Sequence, residues 1–516
     1  MPLPFDGQEF RFTNPDGTEF TVRGWGNQFH AVFETLDGYT VVKDPESGYF
    51  HYAVLSGDGT ELRPSGTRVG EADPQTVGQP RHLREPRTTT RRRAAAVQEE
   101  SRPRWEVRRE QRRERKQARD TSEAESEAEA AAPVGDYVGL CVLVQFPDVG
   151  GTITRQQVTD FCNQPGYTGF GNNGSVHDYF VQVSGGRLRY TNQVTAYYTA
   201  ARPRSYYTDP EIEYGIRAQE LIVEALTALK SGGYDFSALT SDDSGSIYAL
   251  NVFYAGPRVN NWSEGLWPHQ SFLSSPYQVA PGKKFSDYQI TDMGSQLTLR
   301  TFCHENGHMV GDFPDLYDYG GESYGVGHYS LMCYGGSDTN PVEVDAYLKN
   351  EAGWTSKLTE LTPGSVVTVA AGTNHFLVHS RNATEYFLLE NRQQSGRDAA
   401  LPDAGLAIWH VDENGSNSNE QMTPALHYEL SLEQADGRFD LEHRVDKGDS
   451  GDLYGAPSAP AFGSTTTPDS RWWDGSPSGL EIEAISAPAA SMTVRTRGAV
   501  LPRQEEVSDV ADTVGT

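Results

Sequence analysis

The 516-residue chain contains no apolar run approaching the roughly 18 residues needed to cross a bilayer. A membrane span is therefore not expected. It has only four cysteines, Cys141, Cys162, Cys303 and Cys333, too few in so long a chain for a disulfide scaffold but enough for one or two bridges. Positive charge is short as well: 43 Lys and Arg against 71 Asp and Glu leave a net charge of −28. Most of such a surface repels phosphate, which argues against general nucleic-acid binding. The opening MPLPFDGQEF lacks the basic and apolar regions of a secretory signal.

What is present divides the chain. Residues 1–80 carry short aromatic and β-branched runs (FRFTN, FTVRGWG, AVFETLDGYTVV, YFHYAVL) separated by DG-type turns, the pattern of a small β-rich unit. Residues 81–133 change abruptly to TTTRRRAAA, RREQRRERKQARD and SEAESEAEAAAP, a charged linker expected to be helical or disordered and not to form core. Globular texture returns in 134–357 with the buried-strand pattern YVGLCVLVQF, a helix predicted to start at Ser175 and end near Gly185, a long amphipathic helix within 213–233, and the strand SIYALNVFYAG. That alternation predicts a mixed α/β unit. Residues 358–498 hold only short strands and turns, as in an all-β sandwich, and 499–516 read as a disordered tail. The fold class expected is thus a multidomain α+β chain.

The chemistry concentrates in QLTLRTFCHENGHMVGDFPDLYDYG (296–320), which contains H-E-x-x-H at His304, Glu305 and His308. Residues four apart share one face of a helix, so both imidazoles can meet one metal ion. Zinc takes such a pair with a third protein ligand and leaves a position for water. Glu305 is then placed to act as general base on that water. Gly311, three residues past His308, is expected to turn the chain through a positive φ. Beyond it, PDLYD offers the carboxylates Asp315 and Asp318, and GVGHYSLMCYGG (325–336) puts Met332 in a glycine-flanked turn.

These segments, HENGHMVGDFPDLYD, SLMCYGG and KNEAGW, with NNGSVHDYFVQVSGGRL upstream and EYFLLENR, GLAIWHVDE and LEQADG downstream, resemble the immune inhibitor A-like family of secreted bacterial metallopeptidases, a metzincin-like pattern. The resemblance spans about residues 135–497, and WGNQFHAVFETLDGY is similar to that family's pro-region. It implies a metzincin-like catalytic domain, one catalytic Zn2+ held by His304 and His308, Glu305 as base, and Met332 as a Met-turn packed beneath the metal. It also implies an aspartate as third ligand. Asp315 is the first choice, with Asp312, Asp318 and Glu322 as alternatives, because one residue more than the family pattern separates Gly311 from Pro314-Asp315. Protein or peptide substrates, a monomer and secretion complete what it implies, the last against the absent signal, for which a cytoplasmic chain is the alternative.

Competing readings are a gluzincin-type peptidase with Glu343 or Glu351 as third ligand, and a binding or adhesion protein with a vestigial protease unit. Cys303 and Cys333 flank the motif segments and are either a disulfide or two buried thiols. His269, His328 and His410 read as structural histidines, with substrate contact open for the first two. The acidic loop 446–452 is a candidate Ca2+ site. Arg91, Arg92 and Arg93 mark a cleavage point, and latency in the uncut chain would rest on steric cover or on an N-terminal group such as His30.

Overall fold

A computed structural model describes residues 4–27, 30–100, 102–120, 133–417 and 422–498; the tail expected over 499–516 lies outside them. Among the described residues the architecture is multidomain and mixed, with four sheets and more strand than helix.

The N-terminal unit is a six-stranded antiparallel meander in sequence order, from Phe5–Thr13 to Leu62–Arg68. Phe10 and Phe12 point inward between the exposed Glu9 and Arg11, the period-2 alternation of a sheet wet on one face. The dry face does not close on itself. Phe5, Phe10 and Phe33 pack with Trp267 and Trp262 of the next unit, with Phe10 5.8 Å from Trp267 ring to ring.

The central unit carries a five-stranded sheet in the order His269–Ala280, Lys283–Asp292, Leu250–Tyr254, Gly135–Gln145, Leu188–Thr199. Its last four strands are parallel, and the edge strand His269–Ala280 is antiparallel to its neighbour. Helices cover both faces, which is why Gly135–Gln145 reads as an unbroken apolar run. Ser175 caps the helix Val176–Val183 through a capping box with Asp178, and the amphipathic helix spans Ile216–Ser231 with Ala218, Leu221, Ile222, Ala225 and Leu226 inward.

The C-terminal unit pairs a five-stranded sheet (Lys357–Glu360, His375–Ser380, Glu385–Arg392, Gly405–Asp412, Leu430–Leu432) with a three-stranded one (Val366–Ala370, Ser491–Thr496, Ile482–Ile485). Phe387, Leu389, Leu406 and Ile408 face the smaller sheet, while Tyr386, Leu388, Ala407 and Trp409 face the central unit. Both faces of EYFLLENR and GLAIWHVD are thereby buried, and the hydrophobic core runs without a break across the expected boundary at 357/358.

The charged linker is the main departure from expectation. Residues Arg87–Glu100 and Arg104–Asp120 are helices, and the second lies against the central unit with Trp105 only 3% exposed and Arg108 9%. Arg108 and Arg112 are docked on Asp312, and Arg109 and Arg113 on Glu429, carboxylates of the surface beneath.

His269, at the start of the edge strand, is structural. Its Nδ1 lies 2.7 Å from the Trp267 carbonyl and its Nε2 3.0 Å from the Tyr288 hydroxyl. Burial pushes its pKa down to about 4 from the usual 6.5. Between those values the unfolded chain binds a proton that the folded chain refuses, so stability is lost as pH falls through that window, by about 3 kcal/mol. Urea midpoints at pH 7 and 4.5 should therefore differ less for His269→Gln than for the parent; an equal difference would contradict the assignment.

Candidate metal centre

The H-E-x-x-H segment lies on the helix Leu299–Gly311, every residue of which from Phe302 onward is buried. A helix enclosed on all sides must satisfy its polar groups locally. Asn306 does so by donating to Asn251 Oδ1 (2.9 Å) and accepting from the Tyr190 hydroxyl (2.6 Å), which ties the helix to two strands of the central sheet. Gly307 leaves room for Met332, whose Sδ would lie 2.8 Å from a Cβ there. The expected packing of Met332 under the helix is thus explained by contact with the glycine between the two histidines.

The helix ends differently from expectation. Asp312, not Gly311, adopts the left-handed conformation (φ 55°, ψ 37°). Its N–H donates to the His308 carbonyl (3.0 Å) and that of Phe313 to the Gly307 carbonyl (3.2 Å). Aspartate tolerates this region better than most residues. Gly311 serves close packing instead, since a Cβ there would meet the Phe313 ring at 2.7 Å. The extra residue is absorbed in this turn, and the chain then brings Asp315 back over the helix.

His304 Nε2 and His308 Nε2 stand 3.3 Å apart, and Asp315 Oδ1 lies 3.0 Å from the first and 3.3 Å from the second. Tetrahedral zinc with bonds of about 2.0–2.1 Å separates its ligands by about 3.3 Å, so the three atoms fit such an ion. The outer ring of contacts agrees. His304 Nδ1 lies 3.1 Å from the Leu331 carbonyl and His308 Nδ1 2.6 Å from that of Phe313. A carbonyl only accepts, so each Nδ1 carries the proton and each Nε2 turns a lone pair to the centre. Burial lowers the His304 pKa to about 4, leaving that ring neutral at pH 7. Burial raises the Asp315 carboxyl, but attraction to His308 and His304 in their protonated forms outweighs it and holds the group well below the usual range. Three lone-pair donors so placed could hold a divalent cation.

Asp315 Oδ2 accepts from the hydroxyls of Tyr317 (3.0 Å) and Tyr319 (3.3 Å), two residues that motif spacing did not single out. Loss of a ligand should cost far more than loss of a ligand's partner. Asp315→Ala is expected to abolish stoichiometric zinc retention, and Tyr317→Phe to weaken zinc binding by about tenfold to a hundredfold, read by competition with a chromophoric chelator. Equal affinities in all three proteins would remove Asp315 from the centre.

The other candidates are engaged elsewhere. Asp312 pairs with Arg108 (2.7 Å) and Arg112 (2.5 Å); Asp318 accepts the backbone N–H groups of Gly320, Gly321, Glu322 and Ser323; Glu322 pairs with Arg91. Glu343 pairs with Lys349 and Glu351 with Lys116 (3.1 Å), so neither gluzincin candidate joins the two histidines. Cys303 and Cys333 are free buried thiols, as are Cys141 and Cys162. His328 holds the Met332 turn through its Nδ1 and the Tyr334 carbonyl (3.0 Å), and His410 lies in the C-terminal sheet between Glu385 and Glu433.

Among the described residues, one further group is close enough to share a cation: Asp436, Asp440 and Asp449, the last from the loop proposed for calcium. Arg438 already stands among them, with its Nη2 2.5 Å from Asp449 and its Nε 3.6 Å from Asp440.

Glu305 is 2% exposed, and the three donors are fully buried. Trp105 of the covering helix Arg104–Asp120 stacks on His308, with ring centroids 5.0 Å apart and planes at 26°. Arg108 Nη2 also donates to the Met309 carbonyl near the end of the helix Leu299–Gly311 (3.0 Å). Sequence reasoning missed Trp105, although a lone tryptophan in an arginine-rich stretch was the available signal.

A scan against protein-family models and a search of curated proteins each returned no match.

Proposed function

We propose that the chain is a zinc-dependent endopeptidase. The observation that carries this reading is the convergence of His304, His308 and Asp315, with both Nδ1 atoms committed to backbone carbonyls, on a helix that also presents Glu305. More particularly, the motif resemblance supports a secreted, metzincin-like peptidase of the immune inhibitor A-like kind.

Zinc at this tripod supplies Lewis acidity toward a peptide carbonyl and a water. His304, His308 and Asp315 hold and orient the ion; Tyr317 and Tyr319 fix the Asp315 carboxylate. Glu305, one residue from His304, takes the proton of the attacking water and returns it to the leaving amine. Met332 braces the helix from below.

The form described here is closed. Trp105 lies over His308, and the N-terminal sheet adds contacts around the same edge, with Asn27 donating to the Tyr319 carbonyl (3.1 Å) and Lys447 binding Asp6 (2.6 Å). The segment therefore reads as a latency element, and the cover is steric, since His30 is not among the metal-capable groups of the described residues. Zinc content and casein cleavage measured together on parent and Glu305→Gln test the assignment.

A further inference from the structure

On the peptidase reading just given, we propose that the cleft under the covering helix selects substrates rich in arginine and lysine, with Glu429 and Glu413 as specificity-determining residues. The helix occupies the cleft with one basic residue after another. Arg108 and Arg112 reach Asp312, Arg109 and Arg113 reach Glu429, and Lys116 reaches Glu413 and Glu351. Among the described residues, the ion pairs of Asp312, Glu351, Glu413 and Glu429 all run to this one helix, and none to the body that carries the carboxylates.

Burial makes this informative. Glu413 is 2% exposed, Glu429 and Asp312 4%. Part of that burial is the helix's own cover, so its departure leaves an acidic wall open to the cleft, positioned from the body by the Tyr347 hydroxyl on Glu429 and the Tyr386 hydroxyl on Glu413. A cationic peptide restores the pairing. The covering helix thus occupies the cleft as a cationic substrate would, in the way complementary charge sets partner choice at interfaces.

The helix also sets a distance scale. Trp105 marks the metal edge. At about 1.5 Å of rise per residue, Arg109, Arg113 and Lys116 lie about 6, 12 and 16 Å along the cleft. An extended substrate at about 3.3 Å per residue reaches those carboxylates about two to five residues from the scissile bond.

The test uses the full chain carrying Glu305→Gln, with Arg109→Glu, Arg113→Glu and Lys116→Glu to repel the helix from its cleft. Binding of two fluorescent peptides, identical except for arginine or glutamine at those positions, is followed by anisotropy. The arginine peptide should bind at least about tenfold tighter, and the ratio should fall toward one when Glu413→Gln and Glu429→Gln are added. Should those two changes compromise folding, the salt dependence on the native acidic wall decides: the ratio must shrink between 50 and 500 mM NaCl. No binding, no preference, or a preference indifferent to salt overturns the proposal. Because binding is read without hydrolysis, a strong arginine preference in a chain that never cleaves peptides would reject the peptidase reading alone, and cleavage without preference would reject this one alone.

Discussion

Glu305→Gln is expected to keep a full complement of zinc while peptide cleavage falls by about 10²- to 10⁴-fold, the usual worth of a positioned general base. Glutamine preserves the shape of a side chain only 2% exposed on a packed helix, so the fold should persist. The donor atoms belong to His304, His308 and Asp315, whose mutual distances and backbone contacts do not involve the Glu305 carboxylate. What disappears is a proton acceptor beside the first ligand. The assay needs protein cut within 81–133, with zinc measured by mass spectrometry on the same sample. Undiminished cleavage would reject Glu305 as base; zinc lost along with activity would assign it a structural part instead.

The second large effect is expected from the cut itself. The intact chain should cleave a neutral fluorogenic peptide at least about a hundredfold more slowly than the same chain severed within 81–133 and freed of the covering helix. In the closed form His304, His308 and Asp315 have no exposure, Trp105 covers His308, and Asp312 is paired with two arginines of the covering helix. Opening breaks both pairs and the Trp105 contact together, and a penalty of about 2.7 kcal/mol already keeps the open form near one molecule in a hundred. Arg108→Ala with Arg112→Ala should raise the activity of the uncut chain, because both anchors on Asp312 are lost. Equal rates before and after cutting would show that the helix is no barrier.

Ser175 was legible as a cap because a capping box is local: Ser and Asp three residues apart supply both hydrogen bonds. EYFLLENR and GLAIWHVDE were legible as strands, but not as strands buried on both faces, since a continuous apolar run does not say what covers its second side. Propensity favours Gly311 as the turning residue, yet the Phe313 ring claims the space beside it and the left-handed conformation falls on Asp312. Charge density alone predicts solvation of the linker, and only the complementary carboxylates of Asp312, Glu429 and Glu413, about 200 to 300 residues away, turn that stretch into a docked helix.

By itself, then, the sequence determined the helix-borne pair His304 and His308 with Glu305 beside them, because helical periodicity fixes which side chains share a face. It also determined the order of β-rich, charged, mixed and all-β segments, because composition and alternation are local properties. Tertiary structure decided that Asp315, of the six candidate carboxylates, meets the two histidines, that Tyr317 and Tyr319 hydrogen-bond to it, and that Trp105 stacks over His308. Those choices depend on how loops return across a helix and on which charges meet after folding, and contacts between residues distant in the chain leave no period in the sequence.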